Sequence, residues 1–360
     1  SVQDALGVDK QQQVVQEAMD TIEKTYYRKL TDDELANASI SGMVKSLTDR
    51  FSNYFPPKEY AKFKQATNGE FSGVGMMVTV TPKGLKVATT YPGSPARKAG
   101  LRQGDVVVAV NGTSIAGKDE NVATGLIKGE PGTPVKLTWT SPGGTKTTKS
   151  LVRSTVTVPV VSSKMATCDD QKVGVVRLAT FSSGAHAQVY AAIRKLKKQG
   201  AEAIVLDLRA NGGGLVTEAQ LVASAFLKDG KIVTTRGRDV PSHTLSATGN
   251  PVAEKEPVVV LVDGGTASAS EIVAGALQDR KRATLVGTDT FGKGVFQQVI
   301  ELSNGGALDI TAGQYFPPKG RNLGGQGVAA GIGIKPDVRA KDNPATRADA
   351  VSSTPLKLPT

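Results

Sequence analysis

Histidine, cysteine and long apolar runs are scarce or missing in this 360-residue chain, and each scarcity excludes a class of protein. The only two histidines, His186 and His243, lie in no recognisable catalytic context, so a histidine base is not predicted. The single cysteine, Cys168, excludes an intrachain disulfide framework. Because no run of 18 apolar residues occurs, the sequence predicts no membrane-spanning helix.

Charge of one sign is in surplus, with 44 Lys and Arg against 33 Asp and Glu, a net charge of +11. Such a surplus favours anionic partners, for example nucleic acid or an anionic envelope surface. The basic residues are scattered, however, without an arginine-rich run or an aromatic ladder, so nucleic acid is not predicted as a partner. We also predict no metal and no cofactor.

The hydrophobic pattern divides the chain into regions. Apolar residues recur at helical spacing over 9–67, with Thr31 as a helix cap and a break at 49–57. Short β-type runs separated by turns follow from about residue 73. From residue 172, near-continuous apolar strands alternate with helices, which indicates an α/β layer with a buried sheet. The predicted units are a helical segment (1–69), a small module (70–153), an α/β core (154–345) and a tail (346–360).

The small module carries a specific series of turn motifs, Gly-Ser-Pro-Ala at 93–96, Gly-Asp-Val at 104–106 and Asn-Gly at 111–112. It resembles a PDZ domain. That resemblance implies a loop whose backbone N–H groups bind the terminal carboxylate of a peptide, which then adds as an extra strand at the sheet edge. A purely structural hairpin is the alternative. The loop residues are Ser72, Gly73, Val74 and Gly75.

Three consecutive glycines, 212–214, follow a predicted buried strand that ends near Asp207. Such a turn exposes backbone amides that could hold a phosphate or stabilise an oxyanion. A phosphate loop would carry a lysine after the glycines, whereas Leu215 stands here, so the nucleotide interpretation is weak. A purely structural turn remains open.

Ser268 stands where a predicted strand gives way to a predicted helix. The tetrapeptide Ser-Ala-Ser-Glu at 268–271 has the form of a capping box, in which the hydroxyl only satisfies helix N–H groups. The same position lies at the positive end of the helix dipole, beside the amide of Ala269. A nucleophile and its oxyanion hole would be built there.

Lys293 lies between Gly292 and Gly294, among small and apolar neighbours that could lower the pKa of its amine by desolvation. Gln297, four residues on, faces the same side and could orient the amine without raising its pKa as a carboxylate would. With no plausible catalytic histidine, a serine nucleophile here predicts a Ser-Lys dyad.

The segments 266–271, 278–279 and 290–294, together with Gln297, resemble the signature of the carboxyl-terminal processing, or tail-specific, proteases. The resemblance covers about residues 10–340. It implies a multidomain α+β and α/β fold with an N-terminal helical segment, an inserted PDZ module and a crotonase-like layered core. The implied roles are nucleophile (Ser268), general base (Lys293), its support (Gln297), oxyanion hole (Ala269 with Gly212 or Gly213) and supporting positions (Glu271, Asp279, Thr290, Arg153).

The predicted function is therefore a serine endopeptidase that recognises protein or peptide substrates with free C-termini. A non-catalytic PDZ scaffold is the alternative. A histidine-dependent protease is disfavoured because the PDZ segment precedes the serine. The resemblance implies a location outside the cytoplasm, in a bacterial periplasm or envelope or as a secreted protein, with a photosynthetic lumen as the second choice. We expect that a leader or anchor preceded Ser1; peripheral membrane association and oligomeric state stay open.

Overall fold

A computed structural model describes residues 10–325 and 331–341 of the chain. The predicted tail and the first nine residues lie outside this part. The N-terminal region begins with two helices. Thr31 caps the second, as predicted, because its Oγ1 accepts the Glu34 N–H at 3.2 Å, and the Glu34 side chain completes a capping box. The elements are α1 (Lys10–Thr25), α2 (Asp32–Ser46), β1 (Asn53–Phe55) and α3 (Pro57–Thr67).

Two short strands, β2 (Glu70–Gly73) and β9 (Ser154–Thr157), join the PDZ module to the rest of the chain. They pair antiparallel, with Gly73 opposite Ser154 and Glu70 opposite Thr157. The chain therefore enters and leaves the module through one two-stranded ribbon.

The module between these strands is a sheet with two short helices and its own apolar core. Its main strand order is β3-β4-β5-β7-β8, which leaves β3 at an edge, while β6 pairs with β5. Leu85, Val107, Leu137 and Trp139 are among its buried core residues. The elements are β3 (Met76–Thr81), β4 (Gly84–Thr90), α4 (Pro95–Ala99), β5 (Val106–Val110), β6 (Thr113–Ser114), α5 (Glu120–Ile127), β7 (Pro134–Thr140) and β8 (Lys146–Val152).

The core is built on a six-stranded sheet of order β10-β11-β12-β15-β16-β19, in which only β10 runs antiparallel to its neighbour. Every residue of β12 and β15 is buried, as the continuous apolar runs predict. Elements of this layer are β10 (Val161–Cys168), β11 (Gln171–Leu178), α6 (Ala185–Lys198), β12 (Ala203–Asp207), α7 (Val216–Ser224), β15 (Val258–Val262), α8 (Ala269–Asp279), β16 (Thr284–Gly287) and β19 (Val338–Arg339).

A second sheet links the N-terminal region to the core. Its long strand β18 pairs with β1, β13 and β17, and β14 pairs with β13. Sequence reasoning did not predict β1, β13 or β14, because these strands are short or largely polar and take their place through pairing. The elements are β13 (Lys231–Gly237), β14 (His243–Ser246), β17 (Val295–Glu301) and β18 (Ala307–Phe316).

The predicted mixed α and β fold, with a helical N-terminal region, a small inserted β-rich module and an α/β core, is thus confirmed. Within the residues that the structure describes, no helix combines the length and the apolar character needed to cross a membrane.

Candidate active site

Ser268 lies in a strained turn between the buried strand β15 and helix α8. Its φ and ψ are 56° and −119°, which non-glycine residues rarely adopt and which persist only where surrounding structure enforces them. The capping box predicted from the sequence is present, and its glutamate half is a 2.9 Å bond from Ser268 N–H to Glu271 Oε2. Capping uses the serine oxygen as an acceptor, so it leaves the hydroxyl proton available for transfer.

The three-glycine turn packs directly on this serine. A Cβ on Gly213, whose φ is +102°, would lie 2.8 Å from Ser268 Cβ and 2.9 Å from Ala269 N. Only glycine fits there without a shift. Asn211 ties the two turns together, because its carbonyl oxygen accepts Ser270 Oγ–H at 2.9 Å and Ala267 N–H at 3.0 Å.

Two backbone amides remain unpaired beside Ser268. Ala269 N–H, at the start of α8, and Gly212 N–H donate to no acceptor within the described part of the chain. Gly213 N–H, in contrast, donates to Asn211 Oδ1 at 2.9 Å. Of the two predicted glycines, Gly212 therefore has the free amide in this structure and Gly213 does not.

Lys293 approaches from the start of β17 and points into the same cavity. Its Nζ donates to Gln297 Oε1 at 2.7 Å, and Gln297 Nε2 in turn donates to Thr311 Oγ1 at 2.9 Å. The ring of Phe51 lies 4.8 Å from Nζ. The amine is therefore held by a neutral amide and an aromatic face, as the spacing of Lys293 and Gln297 predicts for the amide.

Glu271 connects the serine and lysine segments. Its carboxylate is fully buried and accepts four hydrogen bonds. The donors are Thr290 Oγ1 at 2.5 Å, Gly292 N at 2.7 Å, Lys293 N at 2.9 Å and Ser268 N at 2.9 Å. One side chain thus fixes the backbone of both predicted dyad residues. Burial raises the pKa of Glu271, and these four bonds oppose that shift.

The electrostatic environment of Lys293 combines desolvation with three nearby carboxylates. Burial lowers the pKa of the Lys293 amine, while Asp309, Asp49 and Glu271 act in the opposite direction. Burial also raises the pKa of the Asp309 carboxyl, while the positive charge of Lys293 lowers it. An amine whose pKa is lowered by burial is more readily neutral, which a general base requires.

Ser268 and Lys293 line one cavity of about 410 Å³ together with Gly212, Gln297 and Asp309. No hydrogen bond joins Ser268 Oγ to Lys293 Nζ in the part of the chain that the structure describes, and Nζ is instead bound by Gln297. In enzymes without bound substrate, catalytic hydrogen bonds are often long or unformed. The rest of the cavity wall is mainly apolar, with Phe63, Phe181, Leu215, Val216, Phe296 and Val299 among its residues.

The other predicted supporting residues lie elsewhere. Asp279 is 11 residues along α8 from Ser268, about 16 Å at the helical rise, and accepts Lys319 N–H at 2.9 Å. It also pairs with Arg321. Arg153 Nε donates to the carbonyl oxygen of Ile127 at 2.8 Å, inside the PDZ module at the end of α5. Thr290 alone joins Glu271 at the site.

The predicted peptide-binding loop lines a small cavity of about 50 Å³ between β3 and α5. Gly73, Val74 and Gly75 line it, whereas the Ser72 hydroxyl donates to the carbonyl oxygen of Gly129 at 2.5 Å. Val74 N–H and Gly75 N–H have no acceptor among the described residues. Lys128, exposed at the end of α5, also lines the cavity.

Sequence reasoning missed four residues around the dyad. Phe51, Asp309, Thr311 and Tyr315 come from β18 and from the turn before β1, far from the motifs along the chain. Asp309 reaches the cavity because β18 pairs with both β1 and β17. The alternation of apolar and polar residues over 308–312 was the available signal for β18, and it indicates a strand without indicating what the strand faces.

Comparisons with known proteins agree with this architecture. The chain matches the family models for peptidase family S41 over residues 172–340, the PDZ domain over 86–140 and the activating protease CtpB N-terminal domain over 2–58. It is 38% identical to a carboxy-terminal-processing protease of Bartonella bacilliformis, covering 88% of this chain and 72% of the relative.

A chloroplastic C-terminal processing peptidase of Tetradesmus obliquus is 35% identical, with 89% of this chain and 73% of the relative covered. Among solved structures, the photosystem II D1 C-terminal processing protease is 33% identical, with a TM-score of 0.54 over 93% of this chain and 94% of that one. These findings support the protease and not the scaffold alternative. The chain belongs to the carboxyl-terminal processing proteases, PDZ-containing serine peptidases of family S41.

Proposed function

We propose that Ser268 is the nucleophile and Lys293 the general base of this serine endopeptidase. The observation that carries the assignment is the shared carboxylate of Glu271, which binds the backbone N–H of both residues at the wall of one cavity. A strained serine backbone and a buried amine each destabilise the folded protein. Their occurrence side by side, joined by one buried carboxylate, therefore indicates that they act together.

In the proposed reaction, neutral Lys293 Nζ takes the hydroxyl proton of Ser268 as Oγ attacks the substrate carbonyl carbon. The developing oxyanion accepts hydrogen bonds from Ala269 N–H and Gly212 N–H, the two amides that lack other partners. The Lys293 ammonium then protonates the leaving amine. A water molecule, deprotonated by the same lysine, hydrolyses the acyl-enzyme.

The first step requires a rearrangement of one side chain. Lys293 Nζ must exchange part of its contact with Gln297 for a contact with Ser268 Oγ. Because Gln297 is anchored to Thr311, it can retain the amine in the cavity during this exchange. We therefore assign Gln297 to positioning of the base, and Glu271 with Thr290 to bracing of the two backbone segments.

The substrates are proteins or peptides whose C-terminal tail binds the PDZ module. The free amides of Val74 and Gly75 are suited to the terminal carboxylate, and the open edge of β3 is suited to strand addition. Ser72 and Gly73 shape the loop, since Ser72 is bonded to Gly129 and Gly73 to the ribbon. We place the functional units at 1–69, 70–153 and 154–345.

Arg153 and Asp279 act at a distance from the dyad in this proposal. Arg153 binds the C-terminal end of α5, the helix that lines the cavity beside the predicted peptide-binding loop. Asp279 holds the turn that follows β18. We further propose a location outside the cytoplasm, for which the chloroplastic relative and the net positive charge of the chain are the support.

The test is proteolysis of an unstructured protein with a free C-terminus by Ser268→Ala and Lys293→Ala. Each substitution should lower the rate by at least about 10³-fold because a dyad acts as a unit. Circular dichroism should show an unchanged fold. Ser150→Ala and Lys146→Ala, at exposed positions of β8, serve as matched controls. Undiminished cleavage by either dyad variant would overturn the assignment.

A further inference from the structure

The hydroxyl of Tyr315 is buried at the active site without a hydrogen-bond partner. The residue is 0% exposed, and its hydroxyl is one of three buried side-chain polar atoms left without a partner in the described part of the chain. Burying an unpaired hydroxyl is unfavourable, and native proteins seldom tolerate it away from functional positions. Tyr54 and Tyr190, in comparison, both have hydroxyl partners.

The place of Tyr315 in the fold explains what its hydroxyl faces. Its backbone N–H donates to the carbonyl oxygen of Gly294, next to Lys293, at 3.2 Å. Its side chain belongs to the apolar cluster that contains Ala269 and Ile272 of α8. The polar groups that act on the phenol are the Ser268 hydroxyl and the Glu271 carboxylate. Tyr315 therefore lies behind the cavity wall, on the strand that follows the base segment, close enough to Ser268 for the two hydroxyls to influence each other.

We propose that Tyr315 is a positioning residue whose O–H group donates to Ser268 Oγ once negative charge develops there. The bond is unformed in the resting enzyme and becomes favourable as Lys293 removes the serine proton, because a hydrogen bond to an ionised acceptor is about twice as strong as a neutral one. An interaction made only on the way to the transition state increases kcat without tightening substrate binding.

Proton transfer remains between two groups in this proposal. The Ser268 proton moves to Lys293 Nζ, and Tyr315 keeps its own proton throughout. Burial raises the pKa of the phenol well above its ordinary value, and the charge on Glu271 adds to this, so Tyr315 keeps its proton at neutral pH. It is consequently a donor and not a second base.

The proposal rests on Ser268 being the nucleophile, so the experiment includes Ser268→Ala beside Tyr315→Phe. We expect Tyr315→Phe to lower kcat about 10- to 100-fold with KM unchanged, as for loss of one preorganised donor. Its melting temperature should stay the same or rise, because the variant removes a buried unpaired hydroxyl. The midpoint of the pH–rate profile, which Lys293 sets, should not move.

Tyr190→Phe is the matched control, since its half-buried hydroxyl donates to the carbonyl oxygen of Leu221 at 3.3 Å, away from the cavity. It should retain full kcat. If Tyr315→Phe is fully active while Ser268→Ala is inactive, the Tyr315 inference fails and the dyad stands. If Tyr315→Phe lowers kcat, raises KM and lowers the melting temperature together, the role of Tyr315 is purely structural and the inference is also overturned. Activity retained by Ser268→Ala would instead overturn the proposed function.

Discussion

The two halves of the proposed dyad are held in different ways. The Ser268 backbone is fixed in a rare conformation by Glu271 and by the glycine turn, while its neighbours Ala269 and Ser270 are fully buried. The Lys293 amine, in contrast, ends on one adjustable amide and one aromatic ring. In our proposal the nucleophile and the oxyanion amides are held rigidly, whereas the base can move from the serine to the leaving group.

Removing the group common to both halves should have the largest effect. Glu271→Ala leaves four donors without an acceptor, two of them in fully buried hydrogen bonds, so we expect the free energy of unfolding to fall by about 4 kcal/mol and proteolysis to be lost. Chemical denaturation and a protease assay measure both. The control is Glu34→Ala in the exposed capping box of α2, which should destabilise the protein much less because its partners remain accessible to water. Equal effects of the two substitutions would contradict the special role of Glu271.

Substitutions at two glycines beside Ser268 test the rigid half of the proposed dyad in more detail. Gly213→Ala should reduce both stability and activity, because its Cβ would press on Ser268 and the Ala269 amide. Gly212→Ala has no atom within 4 Å of the new Cβ and keeps its backbone N–H, so its melting temperature should be nearly unchanged. Thermal melts of the two variants provide the comparison. A tolerated Gly213→Ala would show that the turn is not packed as described.

The adjustable half is tested through pH. Activity should rise as pH rises through the Lys293 pKa, because only the neutral amine accepts the serine proton, and burial places that pKa below its ordinary value. Asp309→Asn removes the carboxylate that most favours the ammonium form. The Lys293 pKa should then fall, and the rising limb of kcat should move to lower pH.

Asp239→Asn, at an exposed carboxylate paired with Arg238, is the control for this profile and should not shift it. If the rising limb of kcat in the Asp309→Asn variant moved to higher pH, Asp309 would not act on Lys293 through its charge.

The sequence predicted much of this comparison but not all of it. Ser268, Lys293 and Gln297 carry local signals, a helix start and a glycine-flanked lysine with a neighbour on the same face, and the structure brings all three to one cavity. Asp309, Phe51 and Tyr315 carry none. They arrive through strand pairing over long separations, so only the register of β18 reveals them.

The smallest effect is expected in the PDZ module, where the contacts lie at the surface. Lys128→Met removes an exposed positive charge from the groove that holds the free Val74 and Gly75 amides. KM for a substrate with a free C-terminus should rise only a few-fold, since exposed charge pairs contribute about 0.2–1 kcal/mol. Substrate with an amidated C-terminus should show no change. A reduced kcat in Lys128→Met would argue that the groove does more than bind tails.

The most direct test of the account is the rate at which a fluorophosphonate labels the enzyme, measured across pH with the modified residue mapped by mass spectrometry. We predict a single adduct on Ser268, a rate that rises through the lowered Lys293 pKa, and labelling that Lys293→Ala abolishes. An adduct on another serine, or labelling that is indifferent to the loss of Lys293, would contradict the dyad.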